Sequence, residues 1–155
     1  MLFDTVQGQA PAIATLRTAL GQDRVAHAYL FIGPAGVGKK KTAFTLAQAI
    51  LCREQPKEGC GACAACASVV AGTHPDLLVV APESGKQSVV IDQVRELQRL
   101  LSLKPVFGGK KIAILDEAHQ LTAHAQRALL KIVEEPPGDA LLILLTVISA
   151  TLSRP

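Results

Sequence analysis

Apolar residues along the chain alternate between short continuous runs and helix-spaced repeats. The continuous runs predict strands at residues 28–32, 77–81, 111–115 and 141–146, the first of them buried. The repeats, with apolar residues three and four positions apart, predict a helix starting at Pro11 and helices at 39–51, 91–103 and 123–134, and a short helix ending near Ala71. Because strands alternate with helices, we expect an α/β fold with a doubly wound parallel sheet.

The composition agrees with such a sheet and adds limits of its own. Hydrophobic residues make up 49% of the 155 residues, aromatic residues only 3%, and Trp is absent. The core must therefore consist of Leu, Ile, Val and Ala, as in parallel sheets covered by helices on both faces. This length suits a single domain, which we place at residues 1–155.

Charge and hydropathy indicate the compartment. Residues 1–22 lack the basic start and apolar core of a secretory signal, and the apolar stretch at 140–148 is too short to span a bilayer. We therefore expect a cytoplasmic protein with no membrane partner, in a reducing compartment where disulfides are unexpected. The net charge of +3, without a long basic run, permits proximity to nucleic acid but does not argue for it.

A glycine-rich segment at residues 33–40 matches the phosphate-binding pattern G-x-x-x-x-G-K-[ST] at every position except the last. It follows a predicted strand and opens a predicted helix, as that motif requires. The glycines allow backbone N–H groups to surround phosphate, and Lys39 supplies the neutralising charge. The expected nucleotide-binding residues are Gly33, Gly36, Gly38, Lys39, Lys40 and Thr146, the last at the end of the fourth strand. The alternative is an ordinary glycine-rich turn before a helix.

Lys40 occupies the position where the motif places the hydroxyl that binds Mg²⁺. An ammonium group there repels a nearby dication, although it can pair directly with a phosphate oxygen. The nearest hydroxyl, on Thr42, is two residues further along and faces away from the phosphates. We therefore expect a fold that can bind ATP or ADP with weakened Mg²⁺ binding and little hydrolysis.

Two carboxylates follow the third predicted strand, at Asp116 and Glu117. In phosphate-loop proteins an acidic residue here holds Mg²⁺, and a following Glu can orient the attacking water. The pair is therefore a candidate catalytic site that has become vestigial, with a solvated strand end as the alternative. For His119, which follows shortly after, an exposed surface position is expected.

All four cysteines lie within one short segment, at Cys52, Cys60, Cys63 and Cys66. The spacing C-x7-C-x2-C-x2-C lets the thiolates reach one tetrahedral metal ion, and four sulfur ligands with no open position are typical of structural zinc. We interpret residues 52–66 as a zinc-binding insertion. An iron–sulfur cluster is the main alternative, although the Cys-Pro that usually ends such a run is absent.

Several of these segments together resemble the clamp-loader subunits of bacterial DNA polymerase III, which belong to the AAA+ class. The resemblance covers nearly the whole chain and rests on the following segments: residues 27–31, 33–39, the four cysteines, 115–119, 128–131 and 134–137. Within that family, residues 72–76 and 91–97 look like the delta-prime branch rather than the ATP-hydrolysing gamma/tau branch, which keeps the Ser or Thr that Lys40 replaces.

The resemblance implies an assembly role. A delta-prime subunit works in a five-membered loader with delta and gamma/tau partners, and the loader places the sliding clamp on primed DNA. It also implies that Arg154, in Ser153-Arg154, acts in trans on a neighbour's ATP, although Pro155 stands where the family has Cys. The chain then corresponds to the amino-terminal domain, without the family's fifth strand, helical lid and oligomerisation domain, so that one sheet edge is unpaired.

Three other functions remain to be weighed. The first is a magnesium-dependent ATPase of the gamma/tau type, and the identity of residue 40 distinguishes it from the non-hydrolysing subunit. The second is a phosphate-loop kinase with a zinc lid, but the insertion carries only Arg53 where such a lid needs several arginines. The third, a sequence-specific DNA reader, lacks a helix with clustered base-reading side chains.

Overall fold

The computed structural model describes residues 10–34, 38–107 and 109–147. In these ranges a parallel four-stranded sheet is flanked by helices, as the sequence pattern predicts. The elements in chain order are α1 (Ala10–Gly21), β1 (Ala28–Ile32), α2 (Lys39–Leu51), α3 (Ala64–Ala71), β2 (Leu77–Val80), α4 (Ile91–Leu101), β3 (Lys111–Leu115), α5 (Ala123–Glu134) and β4 (Ala140–Thr146). A 3₁₀ turn at Ala118–Gln120, which the pattern does not predict, joins β3 to α5. None of the described helices is long and apolar enough to cross a membrane.

The predicted boundaries are confirmed for most elements, and the differences are small. The helix predicted at 91–103 ends at Leu101, and the side chain of Leu103, beyond this end, is exposed. The strand predicted at 141–146 begins one residue earlier, at Ala140, which pairs with Lys111. The strand predicted at 77–81 ends at Val80.

The strand order is β1-β4-β3-β2, and all neighbours run parallel. The last strand in sequence, β4, therefore lies between β1 and β3. Ile32 pairs with Thr146, and Leu115 pairs with Leu144. This register brings the carboxyl ends of β1, β4 and β3 to the same edge of the sheet, where parallel α/β folds bind ligands.

The core has two layers, one on each face of the sheet. On one face α1, α2 and α3 cover alternate strand residues, including Ile112, Ile114 and Ile143. On the other face α4 and α5 cover the intervening strand residues, including Ala113 and Leu142. Strand β3 is buried at all five positions, because helices cover both of its sides.

The prediction that the first strand is buried is wrong. The side chains of Leu30 and Ile32 are each 54% exposed. The reason is topological, since β1 is paired only with β4 and forms one edge of the described sheet. A continuous apolar run cannot distinguish an edge strand from a central one, because both carry the same residue types.

A buried carboxylate anchors the loop between α4 and β3. Asp76, which is fully buried just before β2, accepts hydrogen bonds from the backbone N–H groups of Val106 at 2.8 Å and Phe107 at 3.3 Å. Its own N–H donates to Nδ1 of His74 at 3.0 Å. Burial lowers the pKa of His74, although the charge of Asp76 opposes this effect, so the acceptor nitrogen stays unprotonated. The turn at residues 72–76 is thus hydrogen-bonded to the loop between α4 and β3.

We predict that Asp76→Asn lowers the free energy of unfolding by about 1–3 kcal/mol, because an amide cannot accept from both N–H groups. Urea unfolding measures this change. The matched control is Asp139→Asn, since Asp139 is exposed and pairs with Lys110 at the surface. The control should lose less than about 1 kcal/mol. Equal losses in the two variants would contradict the anchoring role.

Candidate functional site

The glycine-rich loop joins the end of β1 to the start of α2. The N–H of Gly33 donates to the carbonyl oxygen of Thr146 at 3.3 Å, which places the start of the loop beside the end of β4. Gly38 precedes α2 with a φ of 85°, a left-handed conformation that glycine adopts without steric cost. Gly36, also expected to bind phosphate, lies outside the described residues. The loop therefore opens at the sheet edge where three strands end.

Lys39, the first residue of α2, folds back over this loop. Its Nζ donates to the carbonyl oxygens of Gly33 at 2.8 Å and Pro34 at 2.9 Å. The unpaired N–H groups at the start of a helix favour an anion at the same end. Lys39 thus holds a positive charge at a helix end that already favours phosphate.

Lys40 points toward the acidic strand end instead of presenting a hydroxyl. Its Nζ lies 3.6 Å from Oδ2 of Asp116, and its side chain is 61% exposed. The sequence places Lys40 at the Mg²⁺-ligand position of the motif but gives no sign of its partner. The structure supplies that partner, the carboxylate that would itself be expected to hold Mg²⁺.

The nearest hydroxyl is not available at this edge. Thr42 donates its Oγ1–H to the carbonyl oxygen of Gly38 at 2.8 Å, and the residue is only 4% exposed. The hydroxyl therefore bonds to its own helix, in agreement with its predicted position around α2.

The acidic pair has two different environments. Asp116 directly follows β3, where its N–H donates to the carbonyl oxygen of Val80 at 2.8 Å and its Oδ1 accepts from the N–H of Glu117 at 2.9 Å. Glu117 is exposed and has a φ of 52°, which is rare for a residue with a side chain. Strained backbone of this kind is concentrated at functional sites.

These groups line one cavity of about 420 Å³. Its lining includes Gly38, Lys39, Lys40, Asp116, Glu117 and Thr146, which the sequence predicts, and Lys41 and His119, which it does not. Thr146 is partly buried, and its hydroxyl lies 3.5 Å from the carbonyl oxygen of Val147. Arg154 lies outside the described residues, and its role in trans stays a prediction.

His119 is not the exposed surface residue expected from the sequence. It sits in the 3₁₀ turn after the acidic pair and is half-buried, and its buried Nδ1 has no hydrogen-bond partner among the described residues. The turn carries it back toward the cavity, which a linear pattern cannot show. The only signal in the sequence is its position three residues after Asp116.

The four cysteines come together as the spacing predicts. Their sulfur atoms all lie within 4.8 Å of one another, and Cys52 Sγ is 3.8 Å from Cys63 Sγ. Sulfur atoms around a tetrahedral zinc ion are separated by about 3.8 Å, given zinc–sulfur bonds of about 2.3 Å. Cys52 and Cys66 are buried, and Cys60 and Cys63 are partly exposed. The cluster can therefore hold a metal ion.

Backbone N–H groups surround three of these sulfurs. Cys52 Sγ accepts from the N–H groups of Gln55 and Cys60, both at 3.3 Å. Cys60 Sγ accepts from Ala62 at 3.4 Å and from Cys63 at 3.2 Å, and Cys63 Sγ accepts from Cys66 at 3.4 Å. Such donors stabilise thiolates, the form that binds metals.

The thiol pKa values follow these contacts. The hydrogen bond from the Cys66 N–H lowers the pKa of Cys63 to about 6, whereas burial raises that of Cys66 to about 12. For Cys52, burial raises the pKa, but backbone hydrogen bonds from Gln55 and Cys60 outweigh it and leave the pKa lowered. A metal bound by all four sulfurs must displace the Cys66 proton, so its affinity falls as the pH falls.

The cysteine segment also contacts the body of the domain. Gln48 on α2 donates its Nε2–H to the carbonyl oxygen of Cys66 at 3.2 Å. The Arg53 guanidinium lies 5.2 Å from the centroid of the Phe107 ring, which packs edge-on against His74. The insertion is therefore joined to the loop that Asp76 anchors.

The arrangement first defines a class of protein. A glycine-rich loop with its lysine stands between β1 and α2. An acidic pair follows β3, which is separated from β1 by β4 in the sheet. This arrangement is typical of phosphate-loop nucleotide folds. Two solved structures share the fold at 21% and 18% identity, both from Thermotoga maritima. A DNA polymerase III gamma subunit-related protein has a TM-score of 0.60 over 86% of this chain and 38% of its own. The RuvB variant T158V has a TM-score of 0.53 over 94% of this chain and 39% of its own.

Sequence comparison then gives the family. The family model described as "DNA polymerase III, delta subunit" matches residues 8–153, so the chain belongs to this family. The Pseudomonas aeruginosa DNA polymerase III subunit delta' is 42% identical over 81% of this chain, and the Bacillus subtilis subunit delta' is 37% identical over 89%. The resemblance to delta-prime subunits is thus confirmed. The Bacillus subtilis subunit tau is also 37% identical, over 93% of the chain. The chain spans 39%, 41% and 25% of these three relatives.

Proposed function

We propose that this chain is the amino-terminal domain of a delta-prime-type clamp-loader subunit that hydrolyses little or no ATP by itself, although it can still bind nucleotide. Residues 1–155 form the nucleotide-binding-type domain, and residues 52–66 form a zinc-binding insertion within it. The subunit works with delta and gamma/tau partners in placing the sliding clamp on primed DNA. Membership of the delta subunit family and the delta-prime relatives support this proposal.

The contact between Lys40 and Asp116 carries the non-hydrolytic part of the proposal. At 3.6 Å from Asp116, the Lys40 ammonium occupies the neighbourhood in which a hydrolytic site holds its metal. A gamma/tau-type ATPase is the second candidate, and the 37% identity to the Bacillus subtilis subunit tau over 93% of the chain favours it. The two candidates differ in whether the subunit itself turns over ATP.

The assembly role predicts a stable complex. We expect the intact subunit that carries these residues to co-elute with delta and gamma/tau subunits of the same organism in size-exclusion chromatography. Arg154→Ala should leave co-elution unchanged and lower ATP hydrolysis by the assembled complex, because the arginine acts on a neighbour's nucleotide. Arg95→Ala, on the exposed surface of α4, is the matched control. Failure of the intact subunit to join the complex would contradict the assembly role.

The non-hydrolytic role predicts the effect of restoring the hydroxyl. The unmodified subunit should release phosphate from ATP at background rates, and Lys40→Thr should raise magnesium-dependent release, because it removes the ammonium and supplies a metal ligand. Steady-state phosphate release measures both. The control is Lys39→Ala in the Lys40→Thr background, which should abolish the gain. Appreciable turnover by the unmodified subunit would favour the gamma/tau candidate.

The metal assignment predicts zinc at close to one ion per chain. Cys60→Ser should lower the zinc content and the free energy of unfolding, the latter by roughly 2–5 kcal/mol, because metal binding stabilises the folded insertion. Elemental analysis and urea unfolding measure the two effects. Ala62→Ser, an exposed change in the same loop, is the control and should alter neither. Iron with visible charge-transfer absorption would contradict zinc.

A further inference from the structure

The residues around the position where the motif holds Mg²⁺ do not fit this ion. This ion requires oxygen ligands in nearly ideal octahedral geometry. The motif hydroxyl is replaced by Lys40, the Thr42 hydroxyl bonds to its own helix, and the Asp116 carboxylate is paired with the Lys40 ammonium at 3.6 Å. A dication beside Asp116 would meet a positive charge at close range.

The same residues fit a polyphosphate that carries no metal. The cavity is lined by three consecutive lysines, Lys39, Lys40 and Lys41, and by the two acidic residues Asp116 and Glu117. The start of α2 adds a further partial positive charge. Metal-free ATP carries about two more negative charges than its magnesium complex, so a site that supplies its own cations favours the metal-free form.

We propose that the Lys40 ammonium, held against Asp116, is a built-in replacement for the divalent cation, so that this cavity binds nucleoside triphosphate in metal-free form and disfavours the magnesium complex. Lys40 then moves between two anionic partners, the Asp116 carboxylate and a phosphate oxygen. Its exposed side chain allows this exchange without changing the buried core. The proposal rests on the proposed nucleotide site and is independent of the assembly role.

The test is isothermal titration calorimetry of ATP into the intact subunit, in EDTA and in excess MgCl₂ at equal ionic strength. We expect ATP to bind roughly five- to tenfold more tightly in EDTA, as loss of one close charge contact implies. Lys40→Thr should reverse this order, so that Mg²⁺ tightens binding. Asp116→Asn should tighten binding in EDTA, because it frees Lys40, whereas in a magnesium-dependent site it would weaken binding in MgCl₂.

Lys41→Thr is the matched control. Lys41 lines the same cavity but makes no ion pair with Asp116, so its loss should weaken ATP in both buffers without reversing their order. Urea unfolding of each variant checks that the fold is retained. Tighter binding of ATP to the unmodified subunit in MgCl₂, or no binding in EDTA, overturns the proposal. If ATP fails to bind but the subunit still joins its partners, only the nucleotide inference is lost.

Discussion

The insertion of β4 between β1 and β3 is the constraint on which the site depends. Its hydrogen bonds fix the register that places Thr146 beside Gly33 and brings the end of β3 to the same edge. The described residues that line the candidate nucleotide cavity lie at the start of α2, at the end of β4 or just after β3. Because helices cover both faces of the sheet, the strands cannot shift by one residue without exposing an entire buried layer. The positions of the charged groups therefore follow from the packing of apolar ones.

At this edge of the sheet a lysine ammonium stands where a hydrolytic site holds its divalent cation. In a hydrolytic phosphate-loop site, a hydroxyl and a carboxylate share a dication, and that dication neutralises the charge developing on the phosphates. Here the carboxylate of Asp116 lies against the ammonium of Lys40, and Lys39 bridges two carbonyl oxygens of the loop. Such a site retains electrostatic attraction for phosphate while it lacks the ligand geometry for Mg²⁺. This combination suits a subunit that takes part in assembly without turning over ATP, as we propose.

The cysteine insertion is a second, separate stabilising device. Its sulfurs gather around one point, and Gln48 and Arg53 link it to α2 and to the loop that Asp76 holds. The segment consists mainly of small and polar residues, and a metal bound by its sulfurs, as we propose, would add order to it.

The sequence alone determined the alternation of strands and helices, most of their boundaries, the glycine-rich loop, the acidic pair and the cysteine cluster. These features are encoded by neighbouring residues, through periodicity and ligand spacing. Only the tertiary structure decided that β1 is an edge strand with Leu30 and Ile32 exposed, that His119 turns into the cavity, and that Lys40 meets Asp116. The first and the third depend on the order of strands in the sheet, which brings together residues far apart in the chain, and the second depends on the 3₁₀ turn after β3. Local patterns do not specify that order, because a central and an edge strand carry the same apolar residues.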